Sequence, residues 1–333
     1  MVCLLEKFKI NLNYLVHGRE KNFSNINLGK RKMSKFSKRK LLFITFMLTL
    51  TLISSAYAIL VPNARASLLT SSQKVEVISK DVVGLDLTEC TKTVQESPPD
   101  SYLDVLPQEN VRYTLESNGN KVDIQYTFTN GNLRVIYVLE IQGSPLLTKT
   151  AVNTLDSTKD FLNSYQQYSG KSFYSELSAM LNAVDVGKNS TITYGNTKLE
   201  TTTSEKYESF RWTYTYNGIE APSKCVSLGY ENGFLKYFVD NWDLYTIGGT
   251  EVKVSEEQAI STAMDQARTF SWNMGTGNST FKVKDYNVAN AMVWETLFCS
   301  NLDVATPRSQ DPFMLYPIRH VWVSLDKFYP GNV

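Results

Sequence analysis

Histidines, cysteines and paired acids are the side chains that most often carry protein chemistry, and this chain spends few residues on them. Of its 333 residues, two are histidine and four are cysteine. His17 lies in a basic N-terminal stretch, which leaves His320 as the one imidazole beyond it. A lone imidazole in Arg319-His-Val-Trp322 cannot build a His-rich metal centre. A Ser-His-Asp or Cys-His arrangement would have to run through it, and no G-x-S-x-G elbow is present to support one. H-E-x-x-H, P-loop and G-x-G-x-x-G patterns are absent as well. Glu256-Glu257 is the obvious carboxylate pair for acid–base work, but both residues fall in the first turn of an expected helix, where anions stabilise the dipole. Asp240-Asn-Trp-Asp243 brings two acids close, yet it lacks the spacing and the terminal Glu of a calcium loop. The residues therefore predict no catalytic site, no metal and no cofactor, with a carboxylate-based hydrolase as the enzymatic alternative.

The cysteines point the same way. Cys90, Cys225 and Cys299 have no C-x-x-C spacing, and as an odd set they allow at most one disulfide outside Cys3. Aromatic residues offer a different chemistry: Tyr 19, Phe 16 and Trp 5 amount to 12% of the chain. Phe210, Trp212, Tyr214 and Tyr216 recur at the strand period of two. Such a stripe is a candidate groove for stacking sugars or peptides if it faces solvent, and core packing if it does not. Asn189-Ser-Thr and Asn278-Ser-Thr are candidate glycosylation sequons.

These side chains must be positioned by an α+β framework. Three Asn-Gly dipeptides flanked by alternating apolar residues predict tight hairpins, since type I′ turns need positive φ at both central residues. Asn118-Gly119 sets Leu115, Tyr113 and Val111 opposite Val122, Ile124 and Tyr126. Asn130-Gly131 sets Phe128, Tyr126 and Ile124 opposite Leu133, Val135 and Tyr137, so both turns choose one apolar face for a meander over 111–141. Asn232-Gly233 sets Tyr230, Leu228 and Val226 opposite Leu235, Tyr237 and Val239. Further strands are expected at 88–95, 198–204, 210–216, 281–288, 291–298 and 318–325. Helices are expected over 71–83, where alternation in Lys74-Val-Glu-Val-Ile78 leaves a strand as competitor, from a Ser157 cap to Gly170, and from a Ser172 cap to Gly187. The last helix opens on a capping box, Ser255-Glu-Glu-Gln258, with Ala259, Ile260, Ala263, Met264, Ala267 and Phe270 as its stripe.

The pattern reads as one helix plus a four-stranded antiparallel meander over 67–145, again over 150–248, and with only three strands over 252–333. A turn and one more strand, roughly 10 to 25 residues, is expected either downstream or from a partner at the open strand edge. Val254-Ser-Glu-Glu-Gln-Ala-Ile-Ser-Thr-Ala263 followed by strands resembles the opening of a PepSY domain, the helix-on-sheet module of prokaryotic envelope proteins and peptidase propeptides, with a cystatin-like layout. The closing Asp-x-x-Thr-Gly-like hairpin of that family is missing. The resemblance implies an extracytoplasmic location and a binding or peptidase-inhibiting role.

Location is also written in the charges. Residues 1–40 hold 11 basic and 2 acidic side chains, leaving 23 basic and 31 acidic beyond them. The acidic remainder is a poor match for nucleic acid. Residues 41–61 carry no charge, follow Lys38-Arg-Lys40 and precede Pro62. They read equally as a membrane helix with the C-terminal part outside and as a signal peptide cleaved after Ala58 or Ala66. Met33 is a plausible start, with 1–32 as an extension. The expected function is that of a cell-surface or secreted non-enzymatic protein binding a peptide, peptidase or envelope partner; a structural envelope component without a ligand is the alternative.

Overall fold

The computed structural model describes residues 69–148, 152–185, 187–269, 272–274, 281–283, 287–300 and 310–326. The segment 41–61, the cleavage sites at Ala58 and Ala66, Cys3, His17 and Asn278 lie outside them. Among the described residues, no helix is long and apolar enough to cross a membrane. The fold is mixed α+β, dominated by one large sheet.

Helix α1 (Ser71–Val77) begins on a capping box from Thr70 and Gln73 and runs straight into a π-turn over Ile78–Val82. Val75, Ile78 and Val82 are buried at helical spacing, which decides the ambiguous alternation in favour of helix. Strands β1 (Thr91–Glu96), β2 (Asp100–Tyr102), β3 (Leu106–Ser117), β4 (Asn120–Thr129) and β5 (Asn132–Gln142) follow, with β1-β3-β4-β5 side by side. Helix α2 (Thr154–Ser169) and helix α3 (Phe173–Met180), the latter continued by a 3-10 turn over Leu181–Ala183, lead into β6 (Ser190–Tyr194), β7 (Thr197–Thr203), β8 (Tyr207–Tyr216), β9 (Ile219–Glu231) and β10 (Phe234–Asp240). The two groups of strands join edge to edge where β10 pairs antiparallel with β5: Tyr237 with Tyr137, Phe238 with Ile136, Val239 with Val135. The short β11 (Thr246–Ile247), helix α4 (Glu256–Thr269), a small β12 (Trp272–Met274) and β13 (Phe281–Val283) pair, and the long ribbon of β14 (Asn287–Ser300) and β15 (Met314–Asp326) complete the described chain.

Every Asn-Gly turn forms as a hairpin with both residues at positive φ, for example 51° and 82° at Asn118-Gly119. The β3–β4 register agrees with the sequence expectation pair for pair. The next two hairpins depart from it. A bulge between Thr127 and Phe128 puts Tyr126 opposite Ile136 and Ile124 opposite Val138 instead of Val135 and Tyr137. A bulge between Leu235 and Tyr237 puts Leu228 opposite Phe238 and Val226 opposite Asp240 instead of Tyr237 and Val239. The cause is the same in both: one extra residue beyond the turn inverts the rest of the strand. Ile136, Val138 and Phe238 thereby enter the core, and the tyrosines turn to the other face.

Other differences concern ends and short strands. Helix α2 is capped by Asn153, whose Oδ1 accepts the Asp156 amide, and not by Ser157; starting four residues earlier buries Leu155. Ser172 occupies the cap position of α3 without a side-chain hydrogen bond, and the helical run ends at Ala183. A fourth Asn-Gly, Asn217-Gly218, turns β8 into β9. Short β2, β6 and β11 were not expected. One hydrophobic core runs under the whole joined sheet, from Val75 and Ile78 through Tyr113, Ile124 and Tyr126 to Phe161, Leu177, Trp212, Leu228 and Phe238. A second, smaller core gathers Ala221, Tyr245, Phe298, Phe313 and Leu315.

Candidate functional site

The aromatic stripe is not a groove. Phe210 and Trp212 are buried in the main core, and Tyr214 and Tyr216 are half-buried against the smaller one. Their period of two is that of a strand whose inner face lies under helices, so the packing alternative holds.

Asp240-Asn-Trp-Asp243 is a structural hub. The buried Asp240 accepts hydrogen bonds from the Tyr165 hydroxyl (3.2 Å), the Tyr174 hydroxyl and the Trp242 amide (3.1 Å). Burial first, then the neighbouring Tyr165 phenol and the Asp240 carboxylate, drive the Tyr174 hydroxyl far above its ordinary range. Asn241 accepts from Arg134, and Asp243 pairs with Lys171 at 2.6 Å. The segment thus fastens α2 and α3 to the end of β10. Among the described residues, no group of three or more His, Cys, Asp and Glu is arranged to hold a metal ion.

Glu256 and Glu257 sit in the first turn of α4, where Ser255 and Gln258 close the expected capping box. Backbone and Ser255 hydrogen bonds hold the Glu257 carboxyl below its ordinary value, as a helix N-terminus should. None of the α4 residues is fully buried: Ala259, Ile260, Ala263, Met264 and Ala267 of the expected stripe are half-buried, and Phe270 lies outside the described residues.

His320, the one histidine among the described residues, has a thiol beside it. Its Nε2 lies 3.7 Å from the Cys299 Sγ across the β14–β15 ribbon. A nucleophilic cysteine needs a lowered pKa, and this one moves the wrong way: burial and then the Glu295 charge push the thiol up. Cys90, Cys225 and Cys299 are all free thiols. Asn189 is exposed, and its Oδ1 accepts the Thr203 amide at 2.7 Å.

The surface with the strongest binding character is the same ribbon. β15 pairs with β14 along its length, but on its other side β11 reaches it only at Met314 and Leu315. From Ile318 onward β15 is therefore an edge among the described residues. Beside that edge stand Trp322, 66% exposed, its cross-strand partner Met292, 50% exposed, and Trp294 at a bulge between Val293 and Glu295, 71% exposed. Large apolar side chains grouped in this way mark contact surfaces. A cleft of about 820 Å³ between the π-turn after α1, α2 and the β8–β9–β10 end has a floor of core residues such as Ile124 and Phe161, and a rim mixing Lys80, Asp81, Asp160 and Lys206. With both signs round its mouth, it offers apolar contact without a charge that selects a ligand.

No protein-family model matches the chain, and no curated sequence matches it. Among solved structures, the C-terminal domain of YpeB from Bacillus megaterium is similar at 7% identity over 69% of this chain and 81% of that one, with a TM-score of 0.32. A likeness of that size carries no conclusion about activity.

Proposed function

We propose that the chain is an extracytoplasmic, non-enzymatic binding protein that takes an extended segment of a protein or peptide partner along β15. The observation that carries this reading is the combination of a strand edge that is free among the described residues with exposed Trp294, Trp322 and Met292 next to it. Edge strands bind by main-chain hydrogen bonding, and neighbouring aromatics supply the affinity and selectivity. Natural proteins rarely leave such an edge bare on a long strand. In this reading the sheet derives from three PepSY- or cystatin-like modules, 67–145, 150–248 and 252–333, and the segment 41–61 serves as anchor or removable signal. The half-covered stripe of α4 is consistent with a third module that is completed by its partner.

The test is site-specific photo-crosslinking on intact cells. A benzophenone side chain at position 322 should give a discrete crosslinked species, and one at the exposed Tyr194 on the far edge should not. Equal yields at the two positions, or none at 322, would overturn the proposal. Protease shaving of the same cells tests the location: digestion of the part beyond Pro62 is expected while a cytoplasmic marker survives.

A further inference from the structure

The sheet face opposite the helices carries a second surface, remote in sequence from the β14–β15 ribbon. Strand register lines up two polar rows there. Glu200 on β7 faces Arg211 on β8, which faces Ser227 on β9. Alongside, Ser209 on β8 faces Gly229 on β9, which faces Tyr237 on β10, which faces Tyr137 on β5. A trough of about 520 Å³ lies over Glu200, Ser209, Arg211, Ser227 and Tyr237.

Two features distinguish this trough from an ordinary polar sheet face. First, its aromatic wall is built by a glycine: a Cβ on Gly229 would overlap the Tyr237 ring, so the bare backbone lets that ring lie over the strand. Tyr137, 43% exposed, extends the wall, with Lys236 Nζ 5.3 Å from its ring centroid. Second, the charged groups are fixed before any ligand arrives. Lys198 Nζ holds a Glu200 oxygen at 2.8 Å, and Arg211 donates to the Pro222 carbonyl at 2.7 Å. Preorganised groups lose little entropy on binding.

An aromatic wall beside fixed donors and acceptors answers the two surfaces of a pyranose, whose C–H face stacks on rings and whose hydroxyls need paired polar partners. Glu200 and Arg211 cancel in charge, and the neighbouring Lys198 and Lys236 are balanced by Glu220 at 2.6 Å and Glu231 at 3.6 Å, so the surface has no net charge to favour an ionic ligand. Four strand spacings separate β7 from β5, so the surface is about 19 Å long, enough for a short chain of rings. From this geometry we infer that the outer sheet face binds a neutral oligosaccharide, with Tyr237 and Tyr137 as the stacking platform and Glu200, Arg211 and Ser209 as its hydroxyl partners.

Affinity electrophoresis of the full chain in native gels containing laminarin, xyloglucan, hydroxyethylcellulose or glycol chitin tests the inference, with polygalacturonate as the anionic comparison. At least one neutral polymer should retard the protein. Tyr137→Ala and Glu200→Ala should each weaken that retardation tenfold or more; because both side chains are at the surface, their melting midpoints should stay near that of the parent. Absence of retardation by every neutral polymer, stronger retardation by polygalacturonate, or retardation unchanged in both variants would overturn it. The crosslink at position 322 is unaffected by any of these outcomes.

Discussion

Asp240 is the side chain whose loss should disturb the fold most for its size. In Asp240→Ala the Tyr174 hydroxyl and the Trp242 amide lose their acceptor, while Tyr165 retains the Leu133 carbonyl at 3.3 Å. An orphaned buried donor costs about 1–3 kcal/mol, and hydrogen bonds to a charged group contribute about 1.5–3 kcal/mol each. The buried Arg134, whose guanidinium feels the Asp240 charge, loses part of its electrostatic compensation too. These contributions overlap, so the expected loss is about 4 kcal/mol for Asp240→Ala. Asp240→Asn keeps an acceptor oxygen and should lose about 2 kcal/mol. Urea unfolding with an unchanged slope measures both; on heating, 4 kcal/mol corresponds to roughly 8–16 °C in a domain of this size. Tyr174→Phe, combined with Asp240→Ala in a double-mutant cycle, should show a coupling above about 1 kcal/mol. A loss below about 1 kcal/mol for Asp240→Ala, or an equal loss for Asn and Ala, would refute the hydrogen-bond account of this hub.

Tyr113 makes the converse case: its buried hydroxyl has no hydrogen-bond partner and burial pushes its pKa up to about 12, so Tyr113→Phe should leave the urea midpoint unchanged or raise it. Asp123, buried on the outer sheet face, is held below its ordinary 3.8, first by the Arg112 hydrogen bond. A depressed folded-state value gives stability that is present above pH 3.8 and lost as pH falls through the folded pKa; Arg112→Leu should therefore flatten the acid limb of a pH–stability curve, and an unchanged limb would exclude the pair as its source. Cys299, raised above its ordinary 9.0, should be alkylated by iodoacetamide appreciably only above pH 9, read by mass spectrometry of the peptide. Gly229→Ala should destabilise the protein by displacing the Tyr237 ring, and in a Tyr237→Ala background the same change should cost far less.

Turn chemistry was the most legible part of the sequence. Asn-Gly at 118–119, 130–131 and 232–233 is a local signal, because positive φ at two successive positions is a property of the residues themselves. Helix existence was legible for the same reason, from spacing and caps. What stayed hidden depends on partners far along the chain. The bulges beyond Asn130-Gly131 and Asn232-Gly233 are selected by the seam where β5 meets β10, which places Ile136 beside Phe238 in the core. Asn217-Gly218 was obscured because β9 continues past Pro222, Ser223 and Lys224, which break its alternation at a register shift. The candidate surfaces were half legible: the edge of β15, free among the described residues, follows from counting strands, whereas the exposure of Trp294 and the Gly229–Tyr237 contact need three-dimensional neighbours. The aromatic stripe at 210–216 misleads as a binding groove because periodicity locates a face without saying which way it looks.

The attachment of the β14–β15 ribbon sets how this protein should breathe. Among the described residues, β14 pairs with the rest of the sheet beyond β15 only at Leu297 with Glu220, and the small core of five buried residues adds to that anchorage. The main core, continuous from α1 to β10, does not depend on them. Opening of the ribbon is therefore a sub-global event, and its amides should exchange with solvent at a lower free energy than those of β4 or β9. A strand laid along β15 would bind the closed ribbon only, and mass action would then raise the free energy of that opening by RT ln(1 + [L]/Kd), which keeps growing with ligand concentration after the site is full. The least secure end of the molecule is in this way the end whose persistence reports what is bound to it.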